Sequence, residues 1–160
     1  MRTQILKYLE TNSKVDIAEL AVILGYDEVT VANEIAAMEK EKIICGYHTL
    51  IDWSKTGEAR VTALIELRVT PQRNQGFDLL AERICNYPEV DAVYLISGNY
   101  DLLVTMDGRT LQEVAQFISE KLSSIESIIT TATYFILKKY KDHGTILAPR
   151  PEAERMLVTP

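Results

Sequence analysis

Apolar residues between Ile5 and Ile44 recur every three or four positions, and residues with capping chemistry cut the run into three predicted helices. The first carries Ile5, Leu6 and Leu9 and ends near Thr11 and Asn12. The second opens at Asp16, which with Glu19 makes a D-x-x-E version of the capping box. It carries Ile17, Leu20, Ala21 and Leu24 and stops at Gly25. The third begins after Tyr26, with Asp27 as N-cap, and sets Val31, Ile35 and Met38 at i, i+4 and i+7 as one apolar stripe. About two residues separate the second helix from the third. A tight glycine-containing turn between two helices, with a first helix to cover them, predicts a helix-turn-helix unit of winged-helix-like type.

From Ile43 the period changes. Ile43 to Ile51 is β-branched and aromatic without a charge and predicts a linking strand, and Asp52 to Gly57 reads as a connector. Ala59 to Val69 alternates, with Glu66 and Arg68 on one face and Ile65, Leu67 and Val69 on the other. Phe77, Leu79, Leu80, Ile84 and Cys85 have helical spacing up to Tyr87-Pro88, which closes the helix. A strand follows from Val90, and Val93 to Ser97 and Tyr100 to Met106 flank Gly98-Asn99 as a two-residue hairpin turn. A helix from Thr110, burying Leu111, Val114, Phe117, Ile118 and Leu122, and a strand from Ile128 to Tyr140 complete the order β-α-β-β-α-β.

The expected class is α+β: a helix-turn-helix domain over 1–42, a linking strand and connector over 43–58, a ferredoxin-like βαββαβ sandwich over 59–141, and a tail over 142–160. Both faces of the strands carry apolar groups, among them Val93, Leu95, Tyr134 and Phe135, so the face away from the helices is expected to bury against another copy.

Composition narrows the function. With 160 residues, 47% hydrophobic and 25% charged, the chain is expected to fold rather than remain disordered. The longest uncharged stretch, Ser127 to Leu137, is 11 residues, too short for a membrane span. Lys7 and Glu10 interrupt any apolar signal core, and a cytoplasmic protein is expected. Cys45 and Cys85 stand alone and are expected as buried thiols, not a disulfide or zinc cage. Net charge is -6, and residues 1–52 carry five Lys/Arg against nine Asp/Glu, so the chain lacks the basic footprint of a strong nonspecific nucleic-acid binder.

Three stretches carry a resemblance. Val93-Tyr94-Leu95-Ile96-Ser97-Gly98-Asn99-Tyr100-Asp101-Leu102-Leu103-Val104 looks like a strand, G-x-Y-D loop and strand. Ile128 to Thr133 looks like a closing T-x-T strand, and Ile43-Ile44-Cys45-Gly46-Tyr47 like an I-x-G-Y entry to a linking strand. Together with the element order they resemble the leucine-responsive/asparagine regulator family, Lrp/AsnC, over residues 2 to about 141. The resemblance implies a transcription regulator, not an enzyme, without cofactor or metal. It would be a homodimer assembling to an octamer, partnered by double-stranded DNA and by an amino acid or similar effector.

The resemblance makes the third helix the reading helix. Its outward side is expected to hold Glu28, Thr30, Asn33, Glu34, Ala37 and Lys40, with Asn33 suited to adenine and Glu34 to cytosine, and with Lys7, Lys14, Lys40 and Lys42 as phosphate contacts. Yet residues 27–42 hold two lysines against five acids, and the family commonly has arginine where Glu34 stands and glycine where Lys42 stands. A ligand-binding oligomer whose helix-turn-helix no longer binds DNA therefore stays open as the alternative.

A free amino acid needs an acceptor for its ammonium and donors for its carboxylate. Asp101 can take the first, backbone N–H groups around Gly98, Asn99 and Tyr100 the second, and Thr131 and Thr133 hydroxyls can complete the set; a plain hairpin turn is the competing reading. Cys45 and His48 project to opposite faces of a strand and are not expected to form a catalytic pair, His143 has no ligand partners nearby, and Trp53, at the connector, is expected as a packing anchor between the domains. In the tail, Met156-Leu157-Val158 is a candidate docking segment for a neighbouring subunit.

Overall fold

Local capping chemistry sets the bounds of the helical part. The computed structural model describes residues 1–58, 60–70 and 76–148, and places α1 at Arg2–Thr11, α2 at Ile17–Leu24 and α3 at Glu28–Lys40. The Asp16 carboxylate accepts the Ala18 N–H at 2.9 Å, so it caps the second residue of α2 rather than closing the D-x-x-E box. Gly25 takes the left-handed conformation at φ +72° that ends α2. Asp27 accepts both the Thr30 hydroxyl and, at 2.8 Å, the Thr30 N–H, and these bonds hold its carboxyl below the usual pKa. Ile5, Leu20, Val31 and Met38, drawn from all three helices, are fully buried together. Each contributes about 1.5–3 kcal/mol by removing its side chain from water.

The chain divides into two compact units, Met1–Ile51 and Asp52–Pro160. The expected linking strand does not form: residues 45–51 have no regular secondary structure, and Tyr47, Leu50 and Ile51 are exposed. A strand requires a hydrogen-bonded neighbour, and no described strand of the same chain pairs with this segment.

In the second unit β1 (Val61–Val69), β2 (Val90–Leu95), β3 (Leu102–Gly108) and β4 (Ile128–Phe135) form an antiparallel sheet in the order β2-β3-β1-β4. Helices α4 (Asp78–Cys85) and α5 (Leu111–Phe117) complete the βαββαβ order, and α5 runs into a single π-helical turn over Ile118–Leu122. Ala63, Ile65, Leu67 and Val69 of β1, with Leu102, Val104 and Met106 of β3, are buried with Ile84, Val114 and Phe117 of the helices. The alternate positions Leu64, Glu66 and Arg68 point to the open face, as the alternation predicts.

Three further expectations are corrected. The β2–β3 connection is not a two-residue turn. It is the four-residue loop Ser97–Tyr100, closed by the Ile96 N–H donating to the Asp101 carbonyl at 2.9 Å. The last sheet strand ends at Phe135, and part of the expected tail forms a small hairpin of β5 (Lys141–Asp142) and β6 (Thr145–Ile146), turned by His143 and Gly144 at positive φ. Cys45 and Cys85 are both exposed free thiols: Cys45 lies on the irregular segment and Cys85 ends α4 beside the buried Ile84, pointing away from the core. Ala59 and the Met156–Val158 segment lie outside the described residues.

Candidate functional site

Burial along α3 resolves it into three stripes. Val31, Ile35 and Met38 are buried; Thr30, Glu34 and Ala37 are half-buried; Val29, Asn33, Ala36 and Lys40 are exposed at i, i+4, i+7 and i+11. That last stripe faces away from the core and itself carries no acid, although the exposed Glu28 and Glu39 flank it on one side. It differs from the expected outward side at Thr30, Glu34 and Ala37, which flank it, and it adds Val29 and Ala36. Both additions are legible from spacing: they stand opposite the buried positions on a 3.6-residue turn.

The half-buried stripe has partners of its own. Thr30 is bound to the Asp27 cap. Arg2, on α1, donates from Nε to Glu34 Oε2 at 2.6 Å, and from Nη1 and Nη2 to the two oxygens of Glu41 at 2.7 and 3.1 Å. The guanidinium pKa is raised by Glu41 first and Glu34 second, and the Glu41 carboxyl is held below its ordinary value by the same contact. Two of the five acids in residues 27–42 are thus tied to one cation from outside the helix, which offsets one of their two charges. Sequence reasoning missed Arg2, because the contact spans 32 and 39 positions.

Glu28 and Asn33 are exposed on α3, Lys7 on α1, and Lys14 in the α1–α2 loop. Lys40 lies in the last turn of α3, where a cation suits the helix dipole. Lys42 adopts φ +59°, the left-handed conformation that favours glycine, while Lys42, Ile43 and Ile44 N–H groups donate back to Glu39 and Met38 carbonyls. Glycine would adopt that backbone conformation without strain.

In the sheet unit, hydrogen bonds to main-chain groups hold the Ser97–Tyr100 loop. The Asp101 N–H donates to the Leu67 carbonyl at 2.9 Å, and Asp101 Oδ2 accepts the Val69 N–H at 2.9 Å, where the β1–β4 register shifts between Arg68 and Val69. The β1–β3 ladder ends at Leu67 opposite Leu102, so the Asp101 carboxylate stands in for a β3 partner that Val69 lacks. Arg68 donates from Nε and Nη2 to the Asn99 carbonyl at 3.0 and 2.6 Å, and its guanidinium sits 5.6 Å from the Tyr100 ring centre. Sequence reasoning did not assign Arg68 to the loop; its outward position on β1 was the available signal.

Thr131 and Thr133 lie opposite Leu67 and Ile65, so they share the helix-covered face and are separated from Asp101 by β1. Within one chain the structure joins Gly98, Asn99, Tyr100 and Asp101 but not the two threonines. On the open face, the Glu66 carboxylate pushes the Tyr134 hydroxyl pKa up. Trp53 stacks under the Arg60 guanidinium at 3.5 Å. No described group of His, Cys, Asp and Glu is arranged to hold a metal ion, and no described helix is long and apolar enough to cross a membrane.

Comparison with known proteins covers both units. Residues 62–146 match the family model described as the Lrp/AsnC ligand binding domain. The HTH-type transcriptional regulator YugG of Bacillus subtilis is 44% identical over 99% of this chain and 96% of its own length. AsnC of E. coli superposes with TM-score 0.66 at 21% identity, covering 86% of this chain and 91% of that one. The transcriptional regulator NMB0573 of Neisseria meningitidis, solved as a complex with L-methionine, superposes with TM-score 0.71 at 18% identity, covering 88% and 90%. These two solved structures share the fold.

Proposed function

The chain belongs to the Lrp/AsnC family of transcriptional regulators, and from that premise we propose that α3 reads double-stranded DNA through Val29, Asn33, Ala36 and Lys40. The acid-free outward stripe carries this reading: an amide suited to adenine stands between two small apolar side chains suited to thymine methyl groups, with a lysine at the end for phosphate. Lys7, Lys14 and Lys42 are additional phosphate contacts, and Glu28 borders the stripe. Glu34 and Thr30, engaged by Arg2 and Asp27, hold the helix in place.

The effector is an amino acid or a similar zwitterion. It docks at the Ser97–Asp101 loop, with backbone N–H groups facing its carboxylate and the Asp101 oxygen not used by Val69 facing its ammonium. A role for Thr131 and Thr133 in this site requires a second copy of the chain. The open face of the sheet, with Tyr94 and Tyr134 each 53% exposed, is the contact for that copy, giving a homodimer that assembles to an octamer. The protein works in the cytoplasm, where the DNA is, and has no enzymatic role in this reading. The alternative of a helix-turn-helix that no longer binds DNA was motivated by the acids of α3, and Arg2 removes part of that motive.

The test is binding of the assembled protein to its own upstream DNA at two salt concentrations, with and without an amino-acid pool containing L-methionine. Sequence-selective binding that weakens with salt and shifts with one amino acid is expected. Linkage requires DNA to change the affinity for that amino acid by the same factor. No binding in any condition would leave the ligand-binding oligomer.

A further inference from the structure

The acids of α3 pose a problem that the outward stripe alone does not solve. Glu34 and Glu41 sit seven residues apart, on the flank next to Asn33 and Lys40, where a carboxylate swung outward would meet the phosphate backbone. Arg2 engages both: one bond to Glu34 and a two-pronged contact with Glu41, all between 2.6 and 3.1 Å. The fork of a guanidinium is suited to this, since its N–H groups reach two carboxylates in fixed directions while a lysine ammonium is a single point charge. Arg2 is partly exposed, with 42% of its side chain accessible, as are Glu34 at 29% and Glu41 at 47%. The network therefore lies at the surface, beside the stripe assigned to DNA, and not in the core.

We propose that Arg2 is a positioning residue for DNA binding: it draws Glu34 and Glu41 against α1 and offsets part of their charge, so that the Val29–Asn33–Ala36–Lys40 stripe meets phosphate without these two carboxylates swung towards it. The inference rests on the DNA-reading role of α3. Arg2 itself makes no phosphate contact in this account, which separates it from an ordinary basic contact residue. Its effect is electrostatic and is screened by salt.

The experiment measures DNA affinity of the full chain by fluorescence anisotropy at low and high salt. Arg2→Ala is expected to weaken binding roughly tenfold at low salt, for two reading helices each exposing two carboxylates near phosphate, and by much less at high salt. Adding Glu34→Gln and Glu41→Gln to Arg2→Ala is expected to restore affinity. Adding Glu82→Gln and Glu126→Gln, exposed acids of the sheet unit that change net charge equally, is expected not to. Glu34→Gln with Glu41→Gln in the presence of Arg2 is expected to bind at least as tightly as the wild type, and this variant serves where Arg2→Ala does not fold by circular dichroism. Failure of the triple variant to recover affinity would mean that Arg2 touches DNA directly, and would overturn the proposal. Equal binding by wild type and Arg2→Ala would do the same. Absence of binding by the wild type would instead refute the DNA-reading role on which the proposal rests.

Discussion

The helical unit and the sheet unit hold their candidate sites by opposite means. In the helical unit the backbone is fixed by caps and by a small apolar core, and the functional groups are side chains left over on the outward stripe of α3. In the sheet unit the candidate residues are themselves the fastening: Asp101 satisfies the Val69 N–H and Arg68 clasps the Asn99 carbonyl. Substitution on the stripe should therefore alter binding and leave folding intact, whereas substitution at the loop should disturb both. A site built from spare side chains can be retuned one residue at a time, and a loop whose binding groups also close the fold cannot.

The largest effects test whether the two cores are independent. Leu20→Ala and Ile65→Ala each delete a fully buried side chain, and each is expected to cost about 2–5 kcal/mol in its own unit. Smaller domains bury a smaller fraction of their surface, so Leu20→Ala should melt the helical unit early. The fluorescence of Trp53, the only tryptophan, which lies in the sheet unit, should report a nearly unchanged second transition. A single shifted transition for both probes would show that the units unfold as one.

Next is the loop. Asp101→Ala leaves the half-buried Val69 N–H without its acceptor and is expected to cost about 1–3 kcal/mol in denaturant unfolding, together with effector binding. Asp101→Asn keeps an acceptor oxygen and should retain most of the stability while losing the charge that faces the ammonium. If both variants were equally stable to the wild type, the carboxylate would be free for the ligand alone, and the contrast between the units would collapse.

The smallest effect concerns Lys42, held at φ +59° after α3. Lys42→Gly removes the left-handed strain and is expected to stabilise the helical unit by about 0.5–1 kcal/mol, the gain being reduced by the greater freedom of glycine in the unfolded chain. Thermal denaturation followed by helix circular dichroism reads it, and a loss of stability would contradict the assignment.

What the sequence makes legible follows the range of the interaction. Asp16, Gly25, Asp27 and Thr110 act on neighbours within a turn, so the helix starts and the order of elements can be read from the pattern. The buried stripe of α3 is equally plain, but the pattern does not distinguish the half-buried Thr30 and Glu34 from the more exposed Val29 and Ala36. A half-buried polar residue with a local or distant partner looks, in sequence, the same as one facing solvent. Arg2 with Glu34 and Arg68 with Asn99 join residues more than 30 positions apart, which no window of periodicity contains. The G-x-Y-D stretch points to a turn with chemistry, yet the four-residue loop and the use of Asp101 by Val69 depend on where the β1–β3 pairing ends, which only the assembled sheet displays. For 45–51 the apolar, β-branched pattern is a fact of the sequence, and the missing piece is a strand to pair with.

The central claim is that the outward stripe of α3 reads DNA. Its most direct test is anisotropy titration of the upstream DNA and a scrambled duplex with the wild type, Asn33→Ala and Glu28→Ala. The account predicts that Asn33→Ala loses about 1–3 kcal/mol of discrimination per reading helix, while Glu28→Ala discriminates as the wild type does and binds no more weakly. Discrimination unchanged in Asn33→Ala and lost in Glu28→Ala would contradict it.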